Sequence, residues 1–230
     1  VGFPGSISPS LEVASSLVLP RGPVWPLTET ISRGAADRSA SSKADLRRAA
    51  IARRDGLSGA ERSRAAERLA ELVDGLDVDA TAIVAGFWPI RGEIDPRPAM
   101  GRLAARGIGL ALPALVGDGA SMVFRRWAPG DRLVAAAFGL SEPPPDAAEV
   151  VPSVLLMPLA AFDGRGARIG YGGGYYDRAL ERLERERPVR KIGVGFAVQR
   201  VERVPEEAHD RRLDLILTDA GPVVPGGDAP

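Results

Sequence analysis

The sequence predicts an α/β fold in layers, with a largely parallel sheet flanked by helices. Short apolar runs of strand length alternate along the chain with amphipathic segments of helical period. Strands buried on both faces read as continuous apolar runs in folds of this class. The composition agrees: 45% of the 230 residues are hydrophobic and 26% are charged, as in an ordinary globular domain and unlike a disordered, collagenous or coiled-coil chain.

Residues 1–42 precede this patterning and hold nine Ser, five Pro and four Gly without helical or strand period. Such a stretch buries too little apolar surface to offset its ordering entropy, so a disordered extension is expected there. Helical spacing begins at Lys43. Ser42 is placed to cap a helix over 43–55 that carries Leu46, Ala50 and Ile51 on one face and closes at Gly56. Ser58 with Glu61 makes a capping box for a second helix, whose stripe of Leu69, Leu72 and Val73 ends at Gly75. A strand is expected over 82–87, followed by Trp88-Pro-Ile-Arg-Gly-Glu93. Asp95-Pro96 then caps a third helix, with proline at the first helical position, running to about Ala105. Further strands are expected over 108–112, 122–127 and 154–159, the second of them more polar. A helix over about 175–187 follows a glycine cluster, then strands over 191–196 and 213–217. These elements define a single domain over 43–220, and the tail from Gly221 is expected to be loose.

Lys plus Arg and Asp plus Glu are both 30, whereas a general nucleic-acid binder carries a basic excess to neutralise phosphates. The absence of Cys, with His209 as the one His, excludes disulfides, Fe–S clusters, thiolate zinc, a Cys nucleophile and multi-His sites. Any metal must be held by oxygen. No apolar run reaches the roughly 20 residues of a membrane helix, and no targeting signal is read at the start. The expectation is a cytoplasmic monomer acting on small molecules. Lys43 and Lys191 are the only lysines, which draws attention to each.

The segment with most chemical content is Arg168-Ile-Gly-Tyr-Gly-Gly-Gly-Tyr-Tyr-Asp177, with four glycines in five positions before a helix. Glycines admit backbone N–H groups close to an anion, and a helix start adds partial positive charge, so this order builds a phosphate cradle. It is neither a P-loop nor the dinucleotide fingerprint, since Tyr175 stands where the third glycine of the latter belongs. A glycine turn serving close packing is the alternative that spacing alone leaves open. Asp177 would lie one helical turn from a bound phosphate, where a Mg2+ ligand belongs.

Arg168 to Asp177 resembles the Arg-Leu-Gly-x-Gly-x-Gly-Tyr-Tyr-Asp signature of the 5-formyltetrahydrofolate cyclo-ligase family. Matches in the family's order extend the resemblance over about 43–220: Lys43-Ala-Asp-Leu-Arg47, Glu93-Ile-Asp95, Pro113, Met122-Val-Phe124, Gly139-Leu-Ser-Glu-Pro143, Met157-Pro-Leu-Ala-Ala-Phe-Asp163, Gln199, Val204-Pro205, His209-Asp210, Leu213-Asp214 and Leu217-Thr218-Asp219. The resemblance implies a fold of the sugar-phosphate isomerase and coenzyme A transferase type. It also implies closure of 5-formyltetrahydrofolate to 5,10-methenyltetrahydrofolate driven by ATP and Mg2+, with ADP and phosphate released.

Carried over by position, Lys43, Arg47, Arg168, Gly170, Gly172, Gly173, Gly174, Tyr175 and Tyr176 match nucleotide-binding positions. Trp88, Glu93, Tyr171, Gly172, Gly173, Gly174 and Tyr175 match the folate site, and Asp177 and Asp210 the Mg2+ ligands. Many relatives carry Lys or Arg where Tyr171 and Gly173 stand here, which makes Arg168 the candidate for stabilising transferred charge. The Lys43 ammonium is expected to meet only the polyphosphate, and the two aspartates to face an aqueous site and not to form a core ion pair. His209 reads as a structural hydrogen-bonding residue. Two other readings stay open: a same-fold enzyme acting on a sugar phosphate or coenzyme A thioester, and a non-catalytic folate or nucleotide binder.

Overall fold

In the computed structural model the described residues are 42–117, 121–207 and 210–226, so all of the expected extension over 1–42 but its last residue, and His209, lie outside them. Helix α1 (Lys43–Asp55) starts at Ser42, whose side chain accepts from the Asp45 N–H. Helix α2 (Gly59–Asp74) carries the full Ser58–Glu61 capping box. Strand β1 (Ile83–Ala85) leads to α3 (Arg97–Ala105). Pro96 is already helical in backbone angles but sits one position earlier than expected, as the N-cap, while the Asp95 carboxylate accepts from the Arg97 N–H.

Next come β2 (Gly109–Val116), β3 (Ser121–Arg126), the short β4 (Val134–Ala135) and β5 (Ser141–Glu142), then β6 (Val154–Pro158). After β7 (Ala161–Phe162) and β8 (Arg168–Ile169) follow α4 (Tyr175–Glu184), β9 (Arg190–Val194), β10 (Leu215–Thr218) and β11 (Gly221–Val223). Two expectations need correction here. The fourth helix stops at Glu184, three residues short, and Gly221–Val223 begins no loose tail but pairs antiparallel with β10. Gly221 has φ +121°, a left-handed-side value that glycine adopts without strain. Pro222 fits an edge strand, since a ring nitrogen with no hydrogen is tolerated where no further strand must be bonded.

The main sheet has seven strands in the order β11-β10-β9-β6-β1-β2-β3. The five inner strands run parallel, and β3 and β11 add an antiparallel border at either side. Successive side chains leave opposite faces of a strand. Val84, Leu110, Leu156, Ile192 and Leu217 therefore pack with Leu69, Val73, Met100 and Leu103 of α2 and α3. Ala85, Ala111, Leu155, Met157 and Ile216 pack with Ala179, Leu180 and Leu183 of α4 on the other face. Burial on both sides explains why these strands read as unbroken apolar runs. A smaller cluster seats Ala50 of α1 on Ala161, Ala167, Ile169 and Val204, which fixes α1 beside the glycine-rich segment.

Strand β1 ends at Ala85, opposite Ala111, while β2 continues to Val116. Beyond that point no strand is paired with β2 on its β1 side; Pro113 brings no N–H there, and the Leu115 N–H bonds Glu142. The gap opens at the carboxyl ends of β1 and β6, the place where open α/β sheets bind ligands.

Candidate active site

A cavity of ≈ 520 Å3 occupies this gap. Its walls bring together every residue matched to a site role, from Lys43 and Arg47 through Trp88, Glu93 and Arg168 to Asp210. They come from α1, the turn after β1, the loop before α4 and the segment after residue 200, so chain spacing alone could not have joined them.

One wall is the glycine-rich loop. Gly172 (φ +99°) and Gly174 (φ +65°) need left-handed backbone angles, and a Cβ on Gly173 would lie 2.6 Å from the Tyr175 ring. These constraints show that the glycines also serve local packing, as the alternative reading held. Gly174 is the N-cap of α4 and no side chain caps the helix, so its first amides stay available toward the cavity. Arg47 Nε donates to the Gly170 carbonyl at 2.8 Å and ties α1 to the loop.

Lys43 departs from expectation, while both aspartates line the cavity in part-exposed ion pairs and not in a core. Lys43 Nζ lies 2.7 Å from Asp210 and 2.9 Å from Glu207, and these partners hold its pKa above the ordinary lysine value although burial opposes them. The ammonium therefore meets carboxylates in the free protein. Asp177 pairs with Arg168, whose side chain is only 6% exposed and whose Nε has no partner. Each supposed metal carboxylate thus stands against a supposed phosphate-binding cation. For Arg168, only 6% exposed, the carboxylate of Asp177 offsets the cost of burying its charge.

The opposite wall is apolar and aromatic, with Phe87, Trp88, Pro113, Leu115 and Met122. Trp88 is half-buried, edge-on to Trp127 at 6.2 Å between ring centroids, with the Arg97 guanidinium 4.9 Å over its ring. Glu93 projects from this wall. Its carboxylate accepts from the Ile90 N–H at 2.8 Å. Burial pushes its pKa up to about 7, against the opposing pull of that N–H, the Tyr171 hydroxyl, Arg54 and Arg91. Burial likewise raises the Tyr171 and Tyr176 hydroxyls above the ordinary phenol value, so both remain protonated donors.

Two features escaped the sequence. Arg54, at the end of α1, reads as one more solvated arginine but is 2% exposed and donates to the Tyr171 hydroxyl at 2.8 Å. Its partners lie tens of residues away, and no local pattern announces them. Glu142 is also buried, borders the cavity, and has its pKa raised by burial.

A glycine-rich loop, carboxylates and an aromatic wall around one cavity define an α/β protein built to bind small ligands, and comparison with known proteins says of which class. The model of the 5-formyltetrahydrofolate cyclo-ligase family matches residues 39–219. The 5-formyltetrahydrofolate cyclo-ligase of Mycolicibacterium smegmatis is 33% identical over 188 residues, covering 78% of this chain and 95% of that protein. The Escherichia coli K12 protein of the same name is 34% identical over 140 residues, 59% of this chain and 76% of its own. The NMR structure of Aquifex aeolicus 5,10-methenyltetrahydrofolate synthetase superposes with TM-score 0.67 at 29% identity, over 82% of this chain and 95% of that one. The Mycoplasma pneumoniae synthetase superposes with TM-score 0.61 at 25% identity, over 78% and 99%. The chain belongs to the 5-formyltetrahydrofolate cyclo-ligase family and is an enzyme of the ligase class. Among the described residues no helix is long and apolar enough to cross a membrane.

Proposed function

We propose that this enzyme closes 5-formyltetrahydrofolate to 5,10-methenyltetrahydrofolate at the expense of ATP, releasing ADP and phosphate. The observation that carries the reading is a single cavity in which a glycine-rich loop before a helix faces an aromatic wall bearing a carboxylate. A formyl oxygen on nitrogen is a poor leaving group. Its transfer onto the γ-phosphorus breaks the bond to ADP and makes a phosphate ester of the oxygen. The neighbouring folate nitrogen then attacks the formyl carbon and gives up its proton, and the C–O bond breaks to free phosphate, which takes up that proton. Phosphoryl transfer asks for positioning and charge neutralisation more than for a covalent nucleophile, which suits a chain with no Cys.

The loop amides and the start of α4 would receive phosphate oxygens, with Lys43, Arg47 and Arg168 on their flanks. Trp88 offers an apolar face to the folate ring, and Glu93 accepts from its N–H groups. Those donors favour the anionic carboxylate, so folate binding draws Glu93 from partial protonation near neutrality to the charged form. Asp177 and Asp210 fit a hard cation, because both present oxygen to the same cavity and neither is locked in a core. Mg2+ there would neutralise phosphate charge and fill its octahedral shell from phosphate and water. Lys43 and Arg168 are freed for the phosphates when the carboxylates change partner.

The test is direct: purified protein, 5-formyltetrahydrofolate and Mg-ATP are mixed and the methenyl chromophore is followed. Product should require both ATP and Mg2+. Equal product without ATP rules out the ligase reaction, and tight binding of both substrates without any product supports a non-catalytic binder.

A further inference from the structure

Arg54 does not border the cavity, yet its guanidinium touches both walls through intermediaries. Nη1 donates to the Tyr171 hydroxyl of the glycine-rich loop at 2.8 Å, and Nη2 donates to the Arg91 carbonyl at 2.6 Å. Nη2 also reaches Asp55 Oδ1 at 2.8 Å. Arg91 has φ +48°, the one non-glycine among the described residues in the left-handed region, where an L side chain is held only by its surroundings. The surroundings are two arginines. Arg62 Nη1 donates to the Gly92 carbonyl at 2.6 Å, and Arg62 Nη2 donates to the Arg54 carbonyl at 2.7 Å. This turn ends in Glu93 and is closed by Glu93 N–H donating to the Ile90 carbonyl at 2.9 Å.

We propose that Arg54 is a positioning residue that joins the turn carrying Glu93 to the glycine-rich loop, so that the two walls of the cavity move and order as one unit. A fork of fixed planar geometry suits this task. One guanidinium satisfies a hydroxyl on one wall and a carbonyl on the other, which a point-charge ammonium does less well. Burial of Arg54 itself, only 2% exposed, holds the bridge, since a guanidinium that lost either acceptor would find little water to replace it. Arg54 works through Tyr171 and Arg91 and touches neither reactant. The consequence is coupling: a ligand that orders the loop also orders Glu93, 78 residues earlier in the chain, and the reverse holds by thermodynamic reciprocity. The assignment of nucleotide to the loop and folate to Glu93 rests on the function proposed above, whereas the bridge itself does not.

Amide hydrogen exchange tests it in the whole protein. In the free parent enzyme the Ile90 and Glu93 amides should be protected, and Arg54→Lys should speed their exchange together with that of residues 170–174 by about tenfold or more. Tyr171→Phe would not isolate the bridge, since that hydroxyl also bonds Glu93 directly; Arg54→Gln, whose amide cannot span both acceptors, serves if Arg54→Lys does not fold. It too should release Ile90 and Glu93. ATP added to the parent should slow exchange at Ile90 and Glu93 across the cavity, and in Arg54→Lys this transmitted protection should vanish while ATP still protects the loop. In turnover, Arg54→Lys should raise KM for 5-formyltetrahydrofolate about tenfold with kcat changed less than about threefold. Exchange that quickens only in the loop, or a lower melting temperature with KM and transmitted protection intact, overturns the proposal. If ATP does not bind the parent at all, the proposed reaction falls, and the ligand-free exchange still decides whether the bridge exists.

Discussion

Replacing Glu93 by Gln keeps the shape of the side chain and its acceptor for the Ile90 N–H, but removes an ionisable group from a buried position. The rise of the Glu93 pKa from its ordinary 4.5 to about 7 amounts to about 3 kcal/mol at roughly 1.4 kcal/mol per pH unit. The folded protein binds this proton more tightly than the unfolded chain. The stabilising contribution is therefore complete below about pH 4.5 and is lost as pH rises through about 7. Glu93→Gln has no such loss. Urea denaturation at a series of pH values should find the variant and parent nearly equal at pH 4.5, with the variant ahead by about 1 kcal/mol at pH 5.5 and by about 3 kcal/mol at pH 8. The same variant should bind 5-formyltetrahydrofolate at least about tenfold more weakly at pH 8, because an amide faces the ring N–H groups with part of its acceptor strength gone. A stability difference that stays flat with pH would refute the account of Glu93 as a carboxylate held at a cost for the sake of a ligand.

Lys43→Ala should raise KM for ATP about tenfold and leave folate binding in place, as separate titrations of the two ligands will show. Asp177→Asn and Asp210→Asn should each lower turnover at least about tenfold, with partial recovery at higher Mg2+, and circular dichroism should show both folded; turnover equal to the parent at limiting Mg2+ excludes the metal assignment. Gly86→Ala would put a Cβ 2.4 Å from Met100 Sδ under the sheet, and forcing the thioether aside should cost about 1–3 kcal/mol in urea denaturation.

Much of the fold was legible because local chemistry and tertiary outcome agree. Ser42, Ser58 and Glu61 cap the helices they announce, and runs such as Val154–Pro158 are apolar because both sheet faces are covered. The two-residue strands β4, β5, β7 and β8 were not legible, since a pair of residues has no period to detect. Gly221-Pro222 carries turn chemistry, and only the neighbouring β10 turns it into an edge strand. In the site, the residue types were legible and the family resemblance implied that they converge, but their pairing was not foreseeable. Lys43 with Asp210, Arg168 with Asp177, and Arg54 with Tyr171 join positions distant in the chain or across a loop. Sequence spacing ranks such residues by chemistry and says nothing of which charge each will choose while the ligands are away.

The helices differ in how they begin. Serines close α1 and α2, and Asp95 serves the first amide of α3, whereas α4 starts at Gly174 with no side-chain acceptor. Glycine at an N-cap costs a helix only about a few tenths of a kcal/mol against Ser or Asp, so α4 forms with its first amides left open. Any anion that settles there caps the helix as it binds. Saturation at a hundredfold excess over Kd adds about 2.7 kcal/mol to the folded state. Under the proposed function that anion is a nucleotide phosphate, and resistance of the start of α4 to protease should then rise with added ATP.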